Sequence, residues 1–210
     1  MTDPDYTAIC LLIDRSGSMK SIQDATAEAI NGFVHEQAAG NGRRTIRIST
    51  FDVGTPDVFC PSTPAAAVPP FALHPRGATA LLDAMGTTIT EFGAELAAMP
   101  EDQRPGHVVF AVMTDGLENA STDYTWPRVK EMVQHQESVY GWNVVYLGAN
   151  QDAIQVGAQL GVRAGSSLTY SASDATTRSA VGATSAYVTS VAAGNAAAFT
   201  DAQRRVATGR

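Results

Sequence analysis

The chain alternates between short apolar runs and longer amphipathic stretches. Residues 6–13, Tyr-Thr-Ala-Ile-Cys-Leu-Leu-Ile, are almost continuously apolar. A run that short and unbroken suits a strand buried on both faces, as in a parallel sheet. Residues 108–113 and 142–147 repeat the pattern. Residues 45–51 alternate Ile46, Ile48 and Thr50 with polar neighbours and predict a second strand. Residues 57–60 predict a short third strand, placed at an edge by its length and by the prolines after it. A last strand is expected within 162–168.

Helical spacing fills the gaps. Over 19–39, Ile22, Ala25, Ala29, Ile30, Phe33 and Val34 recur near a period of 3.6 and stop at Gly40-Asn41-Gly42. Helices are also predicted over 78–99, 125–139 and 152–160, with Pro127 tolerable in a first turn. Residues 61–77 hold Pro61, Pro64, Pro69, Pro70 and Pro75 and end at Gly77, a loop within one core. Strands alternating with helices predict an α/β fold, a parallel sheet covered on both faces.

The pattern changes after residue 170. Residues 171–210 are rich in Ala, Ser and Thr. They read as a helical extension, packed on or extending from a domain over 1–170. Val181, Tyr187, Val188, Val191 and Phe199 are its candidate anchors, Gly194-Asn195 a break, and Thr200 a cap for a final turn.

Composition narrows the function. The 210 residues are 44% hydrophobic and carry a formal net charge of -7. That length supports one sizeable core. The acidic balance repels phosphate backbones and argues against nucleic acid, although Arg43, Arg44 and Arg47 cluster locally. The first apolar run is too short for a signal core or a membrane span. Cys10 and Cys60 both fall in apolar runs and read as buried free thiols. Together these features predict a cytoplasmic protein with no membrane partner.

Three stretches carry candidate chemistry. Asp14-Arg-Ser16-Gly-Ser18 follows the first strand, Gly77-Ala-Thr79-Ala-Leu opens a helix, and Thr114-Asp115-Gly116 follows the strand at 108–113. Each alone is explained equally well by a helix cap or a turn. In a doubly wound sheet, however, ligands sit beyond the carboxyl ends of strands. If those two strands are neighbours, Asp14 and Asp115 converge there with the hydroxyls of Ser16, Ser18 and Thr79. Two carboxylates and three hydroxyls form a hard-oxygen set suited to Mg²⁺, or Mn²⁺, and not to zinc. Gly17 allows the tight loop such a cluster needs.

These three pieces, extended to Asp14-Arg-Ser-Gly-Ser-Met19 and Gly77-Ala-Thr-Ala-Leu-Leu-Asp83-Ala, resemble the metal-ion-dependent adhesion site of von Willebrand factor A domains. The resemblance covers roughly residues 5–170. It implies a Rossmann-like, doubly wound, mostly parallel six-stranded sheet of order 3-2-1-4-5-6, with a short antiparallel edge strand. It also implies that Asp14, Ser16, Ser18, Thr79 and Asp115 bind the metal. A partner protein's Asp or Glu would then complete the metal's shell. Arg15 is similar to cytosolic bacterial members, a likeness that extends the expected partner to an ATPase or a larger assembly.

Other residues belong to the site's surroundings. Arg15, His74 and Arg76, with Glu118 and Asn119, are candidates for a partner-binding rim. Asp83, one turn after Thr79, favours the positive end of its helix. His35, His107 and His135 fall away from the site. Enzyme readings are weaker. A haloacid dehalogenase-type phosphatase needs a second Asp two residues after the first, and Ser16 stands there. No phosphate-binding glycine loop occurs. A metal-dependent hydrolase and a structural, self-associating protein with an empty site are the remaining alternatives.

Overall fold

The unbroken apolar run at residues 6–13 becomes the middle of β1 (Asp3–Asp14), the strand flanked on both sides in the sheet. The computed structural model describes residues 2–210. The other strands are β2 (Arg43–Phe51), β3 (Asp57–Pro64), β4 (Pro105–Thr114), β5 (Asn143–Ala149) and β6 (Ser167–Tyr170). They form one sheet in the order β3-β2-β1-β4-β5-β6, parallel except for the antiparallel β2–β3 pair. That is the expected doubly wound order. Along β1, Ile9, Leu11 and Ile13 enter one core and Ala8, Cys10 and Leu12 the other. Two buried faces disfavour polar residues, which is why only Thr7, itself buried, interrupts the run.

Helices α1 (Gln23–Ala38) and α5 (Asp174–Ala192) cover the first face. Helices α2 (Leu81–Ala97), α3 (Trp126–Tyr140) and α4 (Ala153–Gln159) cover the second. The C-terminal segment fills the first core. Val181, Tyr187, Val188, Val191 and Phe199 are all buried. The break falls at Gly194, where φ is +71°. Thr200 caps α6 (Asp201–Ala207) through a reciprocal capping box with Gln203. That helix docks on β6. Arg204 donates to the carbonyls of Ser167 and Ala164, both at 2.8 Å.

Several boundaries differ from expectation. Strand β3 runs through Pro61 to Pro64, because an edge strand pairs on one side only and tolerates missing amides. Strand β6 lies at 167–170, after a 3-10 turn over Ala164–Ser166. A 3-10 turn over Gly17–Ile22 precedes α1, and α2 starts at Leu81. The arginine cluster is spent internally. Arg43 lies 4.1 Å over the Tyr6 ring, Arg44 is buried against Gln37, and Arg47 pairs with Glu91 and Glu95. Both cysteines are free and buried. Among the described residues no helix is long and apolar enough to cross a membrane.

Candidate metal centre

Strands β1 and β4 are neighbours, so the residues that follow them meet at the carboxyl edge of the sheet. The Asp14 carboxylate accepts from the Ser16 amide and from the Thr114 hydroxyl, each at 2.6 Å. The Ser16 and Ser18 hydroxyls lie 2.9 Å apart. Ser18 in turn donates to Asp115 at 2.5 Å. Thr79 joins them at Gly116. A methyl group there would sit 2.6 Å from the Thr79 hydroxyl and 3.5 Å from an Asp14 oxygen. Only glycine leaves that space open and lets Thr79 approach Asp14, while Ser16, Ser18 and Asp115 connect to Asp14 through the Ser16 amide and the chain of hydroxyls.

Helix capping could have consumed these oxygens, and it does not. Ser16 precedes the 3-10 turn without capping it through its side chain. Helix α2 begins two residues after Thr79, and its first amides are capped from elsewhere. Leu82 donates to Glu118 at 3.0 Å and to Ser121 at 3.1 Å, and Asp83 to Ser121 at 3.1 Å. The Thr79 hydroxyl is therefore released from the duty its position suggested.

Burial and charge grade across the site. Asp14, Ser16 and Thr79 form a buried floor, while Ser18 is exposed and Asp115 is partly so. Burial pushes the Asp14 carboxyl up to about 6; its hydrogen bonds oppose the shift and the Asp115 charge adds to it. Burial raises Asp115 as well, against the Ser18 hydrogen bond. The ion pairs among the described residues do not involve either carboxylate. Two converging acids without a counter-charge, ringed by hydroxyls, fit a divalent cation that prefers hard oxygen. Among the described residues, no three His, Cys, Asp or Glu side chains form a metal cluster. The candidate site holds only two such groups, and its other oxygens are hydroxyls.

The rim candidates divide by what they touch. Arg15 pairs with Asp52 at 3.3 Å and Asp57 at 2.5 Å, and Arg76 pairs with Asp52 at 2.7 Å. Partial burial would raise Asp52, but hydrogen bonds from Arg76, Arg15 and the Val53 amide outweigh it and hold it low. The cluster ties the loop after β1 to the loop before α2, where Arg76 also donates its amide to the Arg15 carbonyl at 2.6 Å. His74 is exposed in that second loop. Glu118 accepts from the Ala120 and Ser121 amides besides Leu82. Asn119 accepts from the Thr79 amide at 3.0 Å and returns its own amide to the Thr79 carbonyl. These two residues fasten the third loop to the second. Asp83 serves the same loop, accepting from the amides of Thr122, Asp123 and Tyr124. The Tyr124 ring lies so close to Gly86 that a methyl there would be 2.2 Å away.

Sequence reasoning named the stretch Thr114-Asp115-Gly116 but missed that Thr114 orients Asp14, and it missed Ser121 and Asp52. Thr114 adjoins Asp115, and Asp52 follows β2 as Asp14 ends β1, so a survey of polar residues at strand ends would have found both. Nothing local marked Ser121.

No protein-family model matches the sequence, and no curated protein does. Solved structures match its fold. The proximal thread matrix protein 1 of the mussel byssus aligns with a TM-score of 0.62 and 14% identity, over 89% of this chain and 46% of that one. A form of that protein with a zinc-occupied MIDAS motif aligns at 0.60 and 18%, over 84% and 46%. A von Willebrand factor type A protein from Catenulispora acidiphila aligns at 0.59 and 15%, over 87% and 42%. The vWF domain of the pilus tip protein Mfa5 from Porphyromonas gingivalis aligns at 0.62 and 10%, over 93% and 98%. The chain thus spans less than half of the mussel protein and essentially all of the pilus-tip domain. At such identities the likeness is one of fold, the von Willebrand factor A fold.

Proposed function

We propose that the chain is a protein-binding module that holds Mg²⁺ at its carboxyl edge and uses it to capture an acidic residue of a partner protein. One observation carries this reading. Five oxygen-bearing residues from three separate loops meet at the carboxyl edge, Asp14, Ser16, Ser18 and Asp115 through hydrogen bonds and Thr79 across Gly116 from Asp14, and neither Ser16 nor Thr79 spends its hydroxyl on a helix cap. Asp14, Ser16, Ser18, Thr79 and Asp115 would hold the ion, some through water. When bound, the ion supplies a positive charge with a position open to a further carboxylate.

The chain's own residues do the rest. The Ser16 amide and Thr114 hydroxyl aim Asp14, while Glu118 and Asn119 fix the loop that carries Thr79. Exposed Ser18 and half-open Asp115 leave the site accessible from solvent. Mn²⁺ would substitute for Mg²⁺. The zinc in the mussel protein's motif makes zinc a necessary comparison, although hydroxyl and carboxylate oxygens favour the harder ion. Binding is favoured over hydrolysis because, among the described residues, no histidine hydrogen-bonds to these oxygens and the Glu118 carboxylate is occupied by amides. His35, His107 and His135 belong to α1, to the far end of β4 and to α3, and only His74 lies in a rim loop. Two free buried thiols fit a reducing cytoplasm, where the partner would belong to a larger assembly or an ATPase.

Calorimetric titration of the chelator-stripped protein tests this. Mg²⁺ should bind and raise the melting temperature, and Asp14→Ala should abolish both effects. A wild type indifferent to Mg²⁺, Mn²⁺ and zinc would sink the proposal. Proteins retained from a native lysate in Mg²⁺ should be released by chelator. A retained set that ignores chelator counts against metal-bridged capture.

A further inference from the structure

Scattered apolar side chains in solvent are ordinary, so placement decides whether they mean anything. Here four of them line the carboxyl edge: Val58, Val53, Leu117 and Ile154, respectively 44%, 55%, 64% and 43% exposed. Val58 lies near the start of antiparallel β3, opposite Ser49. Val53 follows β2, Leu117 follows β4, and Ile154 is in the first turn of α4, just after β5. The strand order therefore sets two on either side of Asp14. With strands ~4.8 Å apart, the four steps from β3 to β5 span ~19 Å, the length of about six extended residues.

The inner pair is fastened in place. The Val53 amide donates to the Asp52 carboxylate at 2.8 Å, and Asp52 is gripped by Arg15 and Arg76. Leu117 stands between two anchors. The Gly116 carbonyl accepts from Thr114 at 3.1 Å and Gln151 at 3.4 Å, and the Glu118 carboxylate is fixed on the start of α2.

We propose that this edge binds an extended protein segment in which an acidic residue is flanked, two positions to either side, by apolar side chains. The inference rests on the metal-capture reading and adds the rest of the recognised sequence. In an extended chain, residues two apart face the same way. A carboxylate directed at the metal centre therefore sends its second neighbours down on Val53 and Leu117. Val58 and Ile154 continue the stripe toward residues farther out.

Short synthetic peptides test it on the full chain loaded with Mg²⁺, with affinity read by fluorescence anisotropy. One peptide is Ser-Leu-Ser-Glu-Ser-Leu-Ser, the second replaces both Leu by Ser, and the third replaces Glu by Gln. The Leu peptide should bind roughly tenfold tighter than its Ser counterpart, the gain expected for covering two partly exposed apolar side chains. Leu117→Ser and Val53→Ser should each shrink that gap severalfold. The Gln peptide should not bind, and chelator should release the other two. Equal affinity of the Leu and Ser peptides, with both released by chelator, overturns the apolar flanks and leaves metal capture standing. Binding that ignores chelator, or no binding of either acidic peptide, overturns both.

Discussion

Replacing Asp14 with Asn removes one charge and almost no volume, and it tests the electrostatics of the centre directly. In the metal-free protein, burial lifts the Asp14 carboxyl from the ordinary 3.8 to about 6. At ~1.4 kcal/mol per pH unit, its ionised form costs the folded state ~3 kcal/mol at neutral pH. A raised acid stabilises the fold fully below its unfolded pKa and loses that contribution as pH rises through the folded one. Chelated wild type should therefore lose stability between about pH 4 and about pH 7. Raised Asp115 acts in the same direction. The difference between Asp14→Asn and wild type isolates the Asp14 share.

At neutral pH the variant should melt higher by up to ~6–12 °C, taking ~2–4 °C per kcal/mol at this chain length. Asn can still accept from the Ser16 amide, and it can donate to the Thr114 hydroxyl where Asp14 accepts. The order should invert in Mg²⁺, which raises the wild type and leaves the variant where it was. Differential scanning calorimetry in chelator and in Mg²⁺ across that pH range reads all of this. If Asp14→Asn melts below wild type in chelator at neutral pH, Asp14 is not a strained anion. If Mg²⁺ raises both equally, Asp14 is not a ligand.

Gly116→Ala would bring a methyl to within 2.6 Å of the Thr79 hydroxyl and should weaken Mg²⁺ binding at least ~10-fold by calorimetry, while far-UV circular dichroism stays native. Glu118→Ala strips acceptors from the amides of Leu82, Ala120 and Ser121 and should cost ~1–3 kcal/mol in urea unfolding. It should weaken Mg²⁺ binding too, since the loop carrying Thr79 loosens. The Tyr170 hydroxyl is buried with no hydrogen-bond partner. Tyr170→Phe should therefore leave the melting temperature unchanged or raise it by a few degrees. A loss above ~1 kcal/mol would mean that the hydroxyl is satisfied in solution.

The apolar runs were enough to read the strands and their mostly parallel sheet, while the strand order and the antiparallel edge came from the resemblance to von Willebrand factor A domains. Continuous apolarity in β1 and β4 marked two-faced burial, and alternation in β2 marked the next strand outward. The candidate ligands were readable because each lies within four residues of a strand end or helix start, and the adjacency of β1 and β4 then brings Asp14 and Asp115 to one edge. What fastens them was not readable. Glu118 and Ser121 cap a helix about 40 positions earlier in the chain, and Asp83 holds amides about as far along. Such partners are set by tertiary geometry and leave no local pattern. Asp83 in a first helical turn suggests a favourable charge at the helix end, whereas its oxygens hold the next loop. Helix starts were placed early for a related reason. The segments before α1 and α2 have helix-compatible composition but are pulled into turns by the loops they join.

The two outer strands of the sheet bear on how any partner can be read. Lateral growth is discouraged at both ends, by Pro61 and Pro64 within β3 and by the Arg204 guanidinium on the carbonyls beside β6. Recognition by backbone pairing, as in strand addition, is thereby set aside. On the proposed mode, a guest crossing the strand tips would contribute side chains and keep its own amides in water. Its selection should then be blind to β-propensity, and a proline between the contacting positions should be accepted as readily as a valine.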